Sequence, residues 1–246
     1  MSINVEEIQT LAREKKVNNI DSTKENSKKV NKNTRRKVST IIYVNFFKRI
    51  FDILGGIIGL ILMIPITLVV WIMNVANHEN GPLLYSHTRI GKNGKPFKLY
   101  KYRTMHVNAD EELVEILKGN EEYRKEWEAN RKLTNDPRVT KVGKFLRKTS
   151  LDEFPNFLSV IKGDLSIVGP RAVIPNELEK FGDKADIILS VKPGITGYWA
   201  ANGRSNTTYE ERVQMETYYA ENISFTLDLK ILLKTISQVL KKDGAI

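Results

Sequence analysis

An apolar segment constrains this chain more than any other feature of its sequence. From Ile53 to Met73 no side chain is charged, and a straight helix of that length extends roughly 30 Å, about the thickness of the hydrocarbon core of a bilayer. Pro65 lies near the middle of the segment. Because proline lacks the N–H that a helix uses and its ring crowds the preceding turn, we predict a helix break at Pro65.

Basic residues flank the segment on both sides. Lys48 and Arg49 precede it, and a longer series follows it: Arg89, Lys92, Lys95, Lys98, Lys101 and Arg103. Since cytoplasmic flanks attract Lys and Arg, a simple span would place one basic cluster on the wrong side of the membrane. A re-entrant helix with both ends cytoplasmic is therefore predicted, with a spanning helix as the alternative and a buried soluble helix as the third interpretation.

Two glycines inside the segment predict a close helix contact. Gly55 and Gly59 form a small-xxx-small pair, which lets two helices approach closely. The contact is either internal packing or a homodimer interface.

Composition narrows the class of protein. The chain has 246 residues, a formal charge of +10 and no cysteine, which excludes disulfides, thiolate nucleophiles and cysteine zinc sites. The excess of positive charge favours anionic partners, but charge alone does not separate nucleic acid from lipid headgroups or a phosphorylated small molecule.

Three regions are predicted along the chain. Residues 1–40 are rich in Lys, Asn, Ser and Glu and are expected to form a disordered basic arm. Residues 41–77 are expected to form the membrane-embedded helix, and residues 78–246 are expected to form a cytoplasmic domain. That domain is predicted to contain a hairpin around Gly91–Pro96 and one or two amphipathic helices over residues 108–132 with a break near Gly119. Its C-terminal helix has a pattern that suits either an interfacial helix or an ordinary core-facing helix.

An acidic pair lies in the second half of the chain. Ser150 followed by Glu153 matches a capping box, so Asp152 and Glu153 on their own indicate a helix start. The same helix N-terminus would also attract phosphate and lower the pKa of Asp152, keeping this carboxylate ionised as a nucleophile or metal ligand. Arg171, in the turn of Gly169-Pro170-Arg171, has the donors to grip a phosphate, although a lone arginine in a turn is more often simply exposed.

The order of these motifs resembles the bacterial sugar transferase family, the monotopic phosphoglycosyl transferases that act on polyprenyl phosphate. The resemblance covers residues 45–246. The matching pieces are Phe47 to Asp52, the apolar segment with its proline, Tyr102 to Met105, Asp136 to Thr140, Arg147 to Glu153, Gly163 to Arg171, Pro193 to Gly197 and Asn202 to Arg204. Ala172 departs from the family pattern, which usually has a second proline there.

The resemblance implies a reaction and a site. In that family the aspartate matching Asp152 attacks the β-phosphate of a UDP-sugar, expels UMP and forms a covalent phosphosugar intermediate, which undecaprenyl phosphate then captures. Glu153 would activate the acceptor phosphate or hold Mg²⁺ together with Asp152. The arginines expected to bind phosphoryl oxygens are Arg147, Arg171, Arg103 and Arg204.

The resulting prediction is an α/β, mostly helical, membrane-associated single catalytic domain with an N-terminal re-entrant hydrophobic helix and a small β element. We expect an undecaprenyl-phosphate sugar phosphotransferase of the inner membrane with its catalytic domain on the cytoplasmic face. Its reaction would start exopolysaccharide, capsule or O-antigen synthesis, without a nucleic-acid partner. Galactose or glucose is preferred as the sugar, and an acetamido sugar stays open. The alternative is a membrane-anchored, non-catalytic binding protein for anionic partners.

Overall fold

The structure is a computed structural model that describes residues 43–130, 133–203 and 207–241. The predicted arm, residues 1–40, lies outside them. One segment ends at Lys48, and the residues from Arg49 onward form a compact unit. Within the described residues the fold is mostly helical with small sheets, as the sequence predicts.

The apolar segment forms one long helix, α1 (Lys48–Ala76), after a π-helical turn over Tyr43–Phe47. The predicted break at Pro65 does not end this helix, which continues on both sides of the proline. Nearby hydroxyls supply polar contacts there: Thr67 Oγ1 donates to the carbonyl oxygen of Met63 at 2.7 Å and lies 2.5 Å from the hydroxyl of Tyr102. Side-chain hydroxyls of this kind satisfy backbone groups in apolar helices that contain proline.

The glycines of α1 face the rest of the compact unit. A Cβ on Gly55 would lie 2.2 Å from Ile167, and one on Gly59 would lie 2.3 Å from the ring of Phe157. Only glycine permits contacts this close. The pair therefore serves internal packing, the first of the two uses predicted for it.

The second half of α1 packs on the same unit. Val70 belongs to a buried cluster with Tyr102, Val142 and Leu146, and Met63, Ile66 and Met73 pack against this cluster. The opposite face of α1 is exposed and apolar: Ile64 is 70% exposed, and Leu54, Ile57, Ile58, Ile61, Leu62, Leu68, Val69, Trp71, Ile72 and Val75 are also exposed. Among the described residues α1 is the helix that is long and apolar enough to cross a membrane.

The predicted hairpin is present. Strands β1 (Leu84–Ile90) and β2 (Pro96–Tyr102) pair antiparallel, with Leu84 opposite Tyr102, and a 3₁₀ turn over Lys92–Gly94 lies between them. Residues directly opposite in such a pair point to the same face. Tyr85 and Lys101 therefore share one face of the hairpin.

The charged insert forms two short helices, α2 (Ala109–Gly119) and α3 (Glu121–Asn130), separated at Asn120 close to the predicted break. Arg138 connects this insert to the domain. Its guanidinium forms a buried ion pair with Asp136 at 2.6 Å, donates to the carbonyl of Ala109, and lies over the ring of Trp127.

Helices α4 (Lys141–Thr149) and α5 (Asn156–Lys162) enclose a 3₁₀ turn over Leu151–Glu153. Gly163 ends α5 with a positive φ of 93°, which glycine adopts without strain. Strand β3 (Ser166–Val168) follows, and its parallel partner is β4 (Gly194–Thr196).

A long 3₁₀ segment (Pro175–Lys184) and helix α6 (Ala185–Leu189) connect β3 to β4. Helices α7 (Tyr198–Asn202), α8 (Tyr209–Asn222) and α9 (Phe225–Lys241) complete the fold. Helix α9 is amphipathic, as predicted. It buries Asp228 and Ile231, and it exposes Phe225, Leu229, Leu233 and Ile236.

Candidate active site

The acidic pair lies in the 3₁₀ turn between α4 and α5. Ser150 adopts a left-handed conformation with φ 55°, and its N–H donates to the carbonyls of Leu146 and Arg147 at the end of α4. Its side chain makes no capping hydrogen bond to the following turn. The predicted capping box is therefore wrong, because Ser150 ends α4 in a left-handed conformation and its hydroxyl accepts no hydrogen bond from the turn that follows. The tight turn leaves both carboxylates beside strand β2.

Lys101 of β2 joins the two carboxylates. Its ammonium nitrogen lies 2.6 Å from Oε1 of Glu153 and 3.7 Å from Oδ2 of Asp152. A cation this close offsets the repulsion between adjacent negative charges. Asp152, Glu153 and Lys101 therefore form one coupled charge cluster.

The two carboxyls differ in acidity. Burial raises the pKa of Asp152, and the neighbouring Glu153 adds to this effect, against the opposing influence of Lys101 and Arg147. Burial also acts to raise the pKa of Glu153, but Lys101 overrides it and holds that pKa below its usual value. The predicted lowering of the Asp152 pKa is therefore wrong, because desolvation of this carboxyl outweighs the surrounding positive charge.

Arg147 approaches the pair from α4. Its Nε donates to Oγ1 of Thr104 at 3.0 Å. Burial lowers the pKa of Arg147, while Asp152 and then Asp136 act to raise it. A guanidinium remains charged at neutral pH despite such a shift, so Arg147 places a second fixed positive charge near Asp152.

An open cleft with an empty volume of about 550 Å³, part of it open to solvent, lies beside Glu153. Three basic side chains line it: Arg89 from β1, Lys101 from β2 and Arg171 from the turn after β3. Its other walls include Gly169, Gly197, Trp199 and Glu216. With this lining the cleft suits an anionic ligand that carries a planar or apolar group.

The turn that carries Arg171 is built by close backbone packing. The N–H of Gly169 donates to the carbonyl of Thr196, and that of Gly194 donates to the carbonyl of Pro170. A Cβ at Gly169 would lie 2.3 Å from the carbonyl oxygen of Lys192. The backbones of the Gly-Pro-Arg and Pro-Gly-Ile-Thr-Gly motifs therefore pack against each other and form one wall of the cleft.

The arginines predicted to bind phosphate have different surroundings. Arg171 lines the cleft, and Arg147 lies near Asp152. Arg103 donates from Nε to the carbonyl of Pro82 and from a terminal nitrogen to the carbonyl of Asn80, at 2.8 and 3.0 Å. These bonds hold the loop that follows α1, and Arg103 is absent from the cleft lining. Arg204 lies outside the described residues.

The site offers only a small set of protein ligands to a metal ion. Within the ranges that the structure describes, no group of three or more His, Asp or Glu side chains could hold a metal ion. Mg²⁺ needs fewer, because it is usually bound by one or two carboxylates together with substrate phosphates and water. The oxygen donors of Asp152 and Glu153 fit that pattern.

Three residues of the site were not predicted from the sequence. The sequence predicts Arg89 and Lys101 as part of the basic flank of the apolar segment and Lys101 also as part of the hairpin, but neither as a site residue, and it does not single out Glu216. Strand alternation would have placed Arg89 and Lys101 on one face of the hairpin. Nothing in the sequence around Glu216 distinguishes it from the other acidic residues of α8.

Comparison with known proteins identifies the class. The family model described as "Bacterial sugar transferase" matches residues 43–242. The chain therefore belongs to the bacterial sugar transferase family, as its motifs predict.

Particular relatives are similar over most of this chain. The "Undecaprenyl-phosphate galactose phosphotransferase" of Salmonella typhimurium is 44% identical over 200 residues, which are 81% of this chain and 42% of that protein. The "Exopolysaccharide production protein ExoY" of Sinorhizobium fredii is 45% identical over 198 residues, 80% of this chain and 87% of its own. The "UDP-glucose:undecaprenyl-phosphate glucose-1-phosphate transferase" of Klebsiella pneumoniae is 39% identical over 199 residues, 77% of this chain and 39% of its own. The match thus spans less than half of the Salmonella and Klebsiella proteins.

Proposed function

We propose that this protein transfers a sugar 1-phosphate from a UDP-sugar to undecaprenyl phosphate and releases UMP. The observation that carries the proposal is the Asp152–Glu153 pair, held by Lys101 beside a cleft that Arg89 and Arg171 line. Family membership and the names of the relatives support this reaction.

The first step forms a covalent intermediate on Asp152. A carboxylate oxygen attacks the β-phosphorus of the UDP-sugar, and the bond from this phosphorus to the bridging oxygen breaks. UMP leaves with that electron pair. Lys101 and Arg147 would offset the charge that accumulates around the phosphorus, as an anionic nucleophile attacking an anionic phosphate requires.

The second step regenerates the carboxylate. A phosphate oxygen of undecaprenyl phosphate attacks the same phosphorus, and the bond to Asp152 breaks. The products are the lipid diphosphate sugar and free Asp152. Lys101 keeps Glu153 ionised, which suits Glu153 to orient or deprotonate the acceptor phosphate.

Asp152 and Glu153 would also hold Mg²⁺. When bound, this ion supplies positive charge that neutralises the diphosphate of the donor.

The same proposal places α1 in the cytoplasmic leaflet of the inner membrane. Both halves of α1 pack on one folded unit, through Gly55 and Gly59 at one end and Val70 at the other. A simple span would carry the second half of α1 through the bilayer, away from a unit that lies outside it. The exposed apolar faces of α1 and α9 instead suit a re-entrant helix and a shallow interfacial helix, with the acidic pair near the headgroups.

The sugar is proposed to be a hexose, galactose or glucose, because the names of two relatives specify those sugars. The product would start synthesis of an exopolysaccharide or a related cell-surface glycan, in line with the name of the Sinorhizobium relative.

The test is UMP release by detergent-solubilised full-length protein with Mg²⁺, undecaprenyl phosphate and either UDP-galactose or UDP-glucose. We expect acceptor-dependent UMP release from the wild type and at least about a 1,000-fold loss in Asp152→Asn, because the nucleophile is removed. The control is Asp110→Asn, which neutralises an exposed carboxylate on α2. Equal turnover by Asp152→Asn and the wild type would overturn the mechanism. No release by folded wild-type protein from UDP-galactose, UDP-glucose or a wider panel of UDP-sugars would favour the anchored binding protein.

A further inference from the structure

Helix α8 places a buried carboxyl group at the wall of the cleft. Glu216 is 1% exposed and lines the cleft together with Arg171 and Trp199. Its Oε1 accepts a hydrogen bond from the backbone N–H of Arg171 at 3.0 Å. Its Oε2 is buried and has no hydrogen-bond partner among the described residues. A buried carboxyl with one unpaired oxygen is costly, so its retention needs a compensating role.

The surroundings of Glu216 do not favour its ionised form. Burial raises the pKa of its carboxyl to about 7, against the opposing effects of the Arg171 N–H bond and the charges of Arg212 and Arg171. Arg212, one turn earlier on α8, lies over the rings of Trp199 and Tyr209 and forms an ion pair with Glu177 at 3.8 Å. The direct contact of Glu216 with the cleft wall is the hydrogen bond that it accepts from the N–H of Arg171.

The hydrogen bond from Arg171 to Glu216 involves the backbone N–H of Arg171. The position of this backbone sets the direction in which the Arg171 side chain extends. The chain on either side of Arg171 is already held, because Pro170 accepts from Gly194 and the carbonyl of Val173 accepts from Ile90. The N–H of Arg171 is the point at which α8 contacts this turn through Glu216. From there the guanidinium extends over Trp199, with its carbon 5.8 Å from the ring centroid.

We propose that Glu216 is a positioning residue, whose carboxyl oxygen holds the backbone of Arg171 so that the guanidinium faces the cleft and binds phosphoryl oxygens of the substrate. The inference rests on the proposed function for the identity of the substrate. Glu216 acts as a hydrogen-bond acceptor, so the neutral amide oxygen of a glutamine can replace its carboxyl oxygen. A full negative charge at this position would weaken the attraction of the cleft for an anion.

The experiment compares three variants of the full-length protein in detergent: Glu216→Gln, Glu216→Leu and Arg171→Met. Glutamine keeps an acceptor oxygen at the same place, whereas leucine has a similar size and no acceptor. We expect Glu216→Leu to raise the KM for the UDP-sugar by about tenfold or more with a smaller change in kcat, since a lost positioning bond weakens binding. Glu216→Gln should rescue the KM to within about threefold of the wild type.

A double-mutant cycle separates positioning from general stability. In the Arg171→Met background, Glu216→Leu should have no further effect on KM, because the side chain that it positions is gone. A role confined to packing would give the same loss in both backgrounds and would overturn the proposal. Equal defects in Glu216→Gln and Glu216→Leu would overturn it as well. Thr217→Val is the matched control, since Thr217 is the next residue of α8 and its buried hydroxyl has no hydrogen-bond partner in the part of the chain that the structure describes.

A binding measurement keeps this inference separate from the reaction. The affinity for inorganic pyrophosphate is measured by calorimetry on the same variants, with no sugar, acceptor or turnover involved. Weaker binding by Glu216→Leu, absent in the Arg171→Met background, would support the positioning role even if no UDP-sugar is turned over. Unchanged pyrophosphate affinity in Glu216→Leu, together with an unchanged KM wherever turnover is measurable, would refute it.

Discussion

The ammonium of Lys101 lies 2.6 Å from a carboxylate oxygen of Glu153, although the two residues are far apart in the chain. The contact is possible because β2 packs against the 3₁₀ turn over Leu151–Glu153. The same ammonium reaches Asp152 at 3.7 Å. The acidity of the pair therefore depends on a residue from the hairpin.

Replacing Lys101 should change the pH dependence of the reaction. Lys101 lowers the pKa of both carboxyls, so in Lys101→Met both pKa values rise and the ionised pair persists only at higher pH. We expect the acidic limb of the pH–rate profile to move to higher pH and kcat at neutral pH to fall by about tenfold or more. Lys101→Arg, which keeps the charge, should move the limb less. An acidic limb at the same pH in Lys101→Met would contradict the assignment.

Glu216 should make stability depend on pH. Its carboxyl has a pKa of about 7 in the folded protein and 4.5 as its ordinary value, so between these values the folded state binds more protons than the unfolded state. The stability contributed by the protonated group is complete below pH 4.5 and is lost as pH rises towards 7. The loss is at most about 3–4 kcal/mol, since one pKa unit corresponds to about 1.4 kcal/mol.

Urea unfolding of the wild type and of Glu216→Gln at a series of pH values measures the contribution of Glu216 to the free energy of unfolding. Glutamine does not titrate, so the difference in the free energy of unfolding should change across the interval and stay constant above it. A difference that does not vary with pH would show that Glu216 is ionised in the folded protein.

The contact between α1 and α5 should not tolerate a side chain at Gly59. A Cβ there would lie 2.3 Å from the ring of Phe157, so Gly59→Ala should destabilise the protein by about 1–3 kcal/mol through overpacking. Gly119→Ala is the matched control, because nothing lies within 4 Å of its added Cβ. The melting temperature in detergent compares the two. A Gly59→Ala protein as stable as Gly119→Ala would contradict the observed packing.

Arg103 and Arg171 should respond differently to the same substitution. Arg103 donates to the carbonyls of Pro82 and Asn80, so Arg103→Gln should lower the melting temperature and leave the KM for the UDP-sugar within about threefold. Arg171 lines the cleft, and Arg171→Gln should raise that KM by about tenfold or more because a charge-assisted contact to phosphate is lost. If Arg103→Gln raised KM as much as Arg171→Gln at unchanged melting temperature, Arg103 would bind substrate as the sequence predicts.

Local patterns predicted the elements of this fold well. Strand alternation and the turn at Gly91–Pro96 predicted the hairpin, and Gly119 predicted the end of α2, because these signals depend on neighbouring residues alone. Ser150 shows the limit of such signals. Its spacing to Glu153 fits a capping box, but the chain reverses at Ser150 into a left-handed conformation that ends α4.

The site was predictable only in part, because its members come from distant segments. Asp152, Glu153 and Arg171 belong to motifs that the sequence makes visible. Lys101 and Glu216 join the site only through the packing of β2 and α8 against those motifs, which the local sequence does not reveal. The rise in the pKa of Asp152 follows from burial, which no local pattern reports.

Helix α1 rests on Phe157, one turn after Glu153 in the chain. Phe157 and Glu153 belong to one short stretch of chain, so α1 and the acidic pair share a support. In the proposed membrane setting, the depth of α1 in the lipid would set the height of Asp152 relative to the headgroups. A thicker or thinner bilayer would then change the distance between the acceptor phosphate and the carboxylate without altering any side chain of the protein.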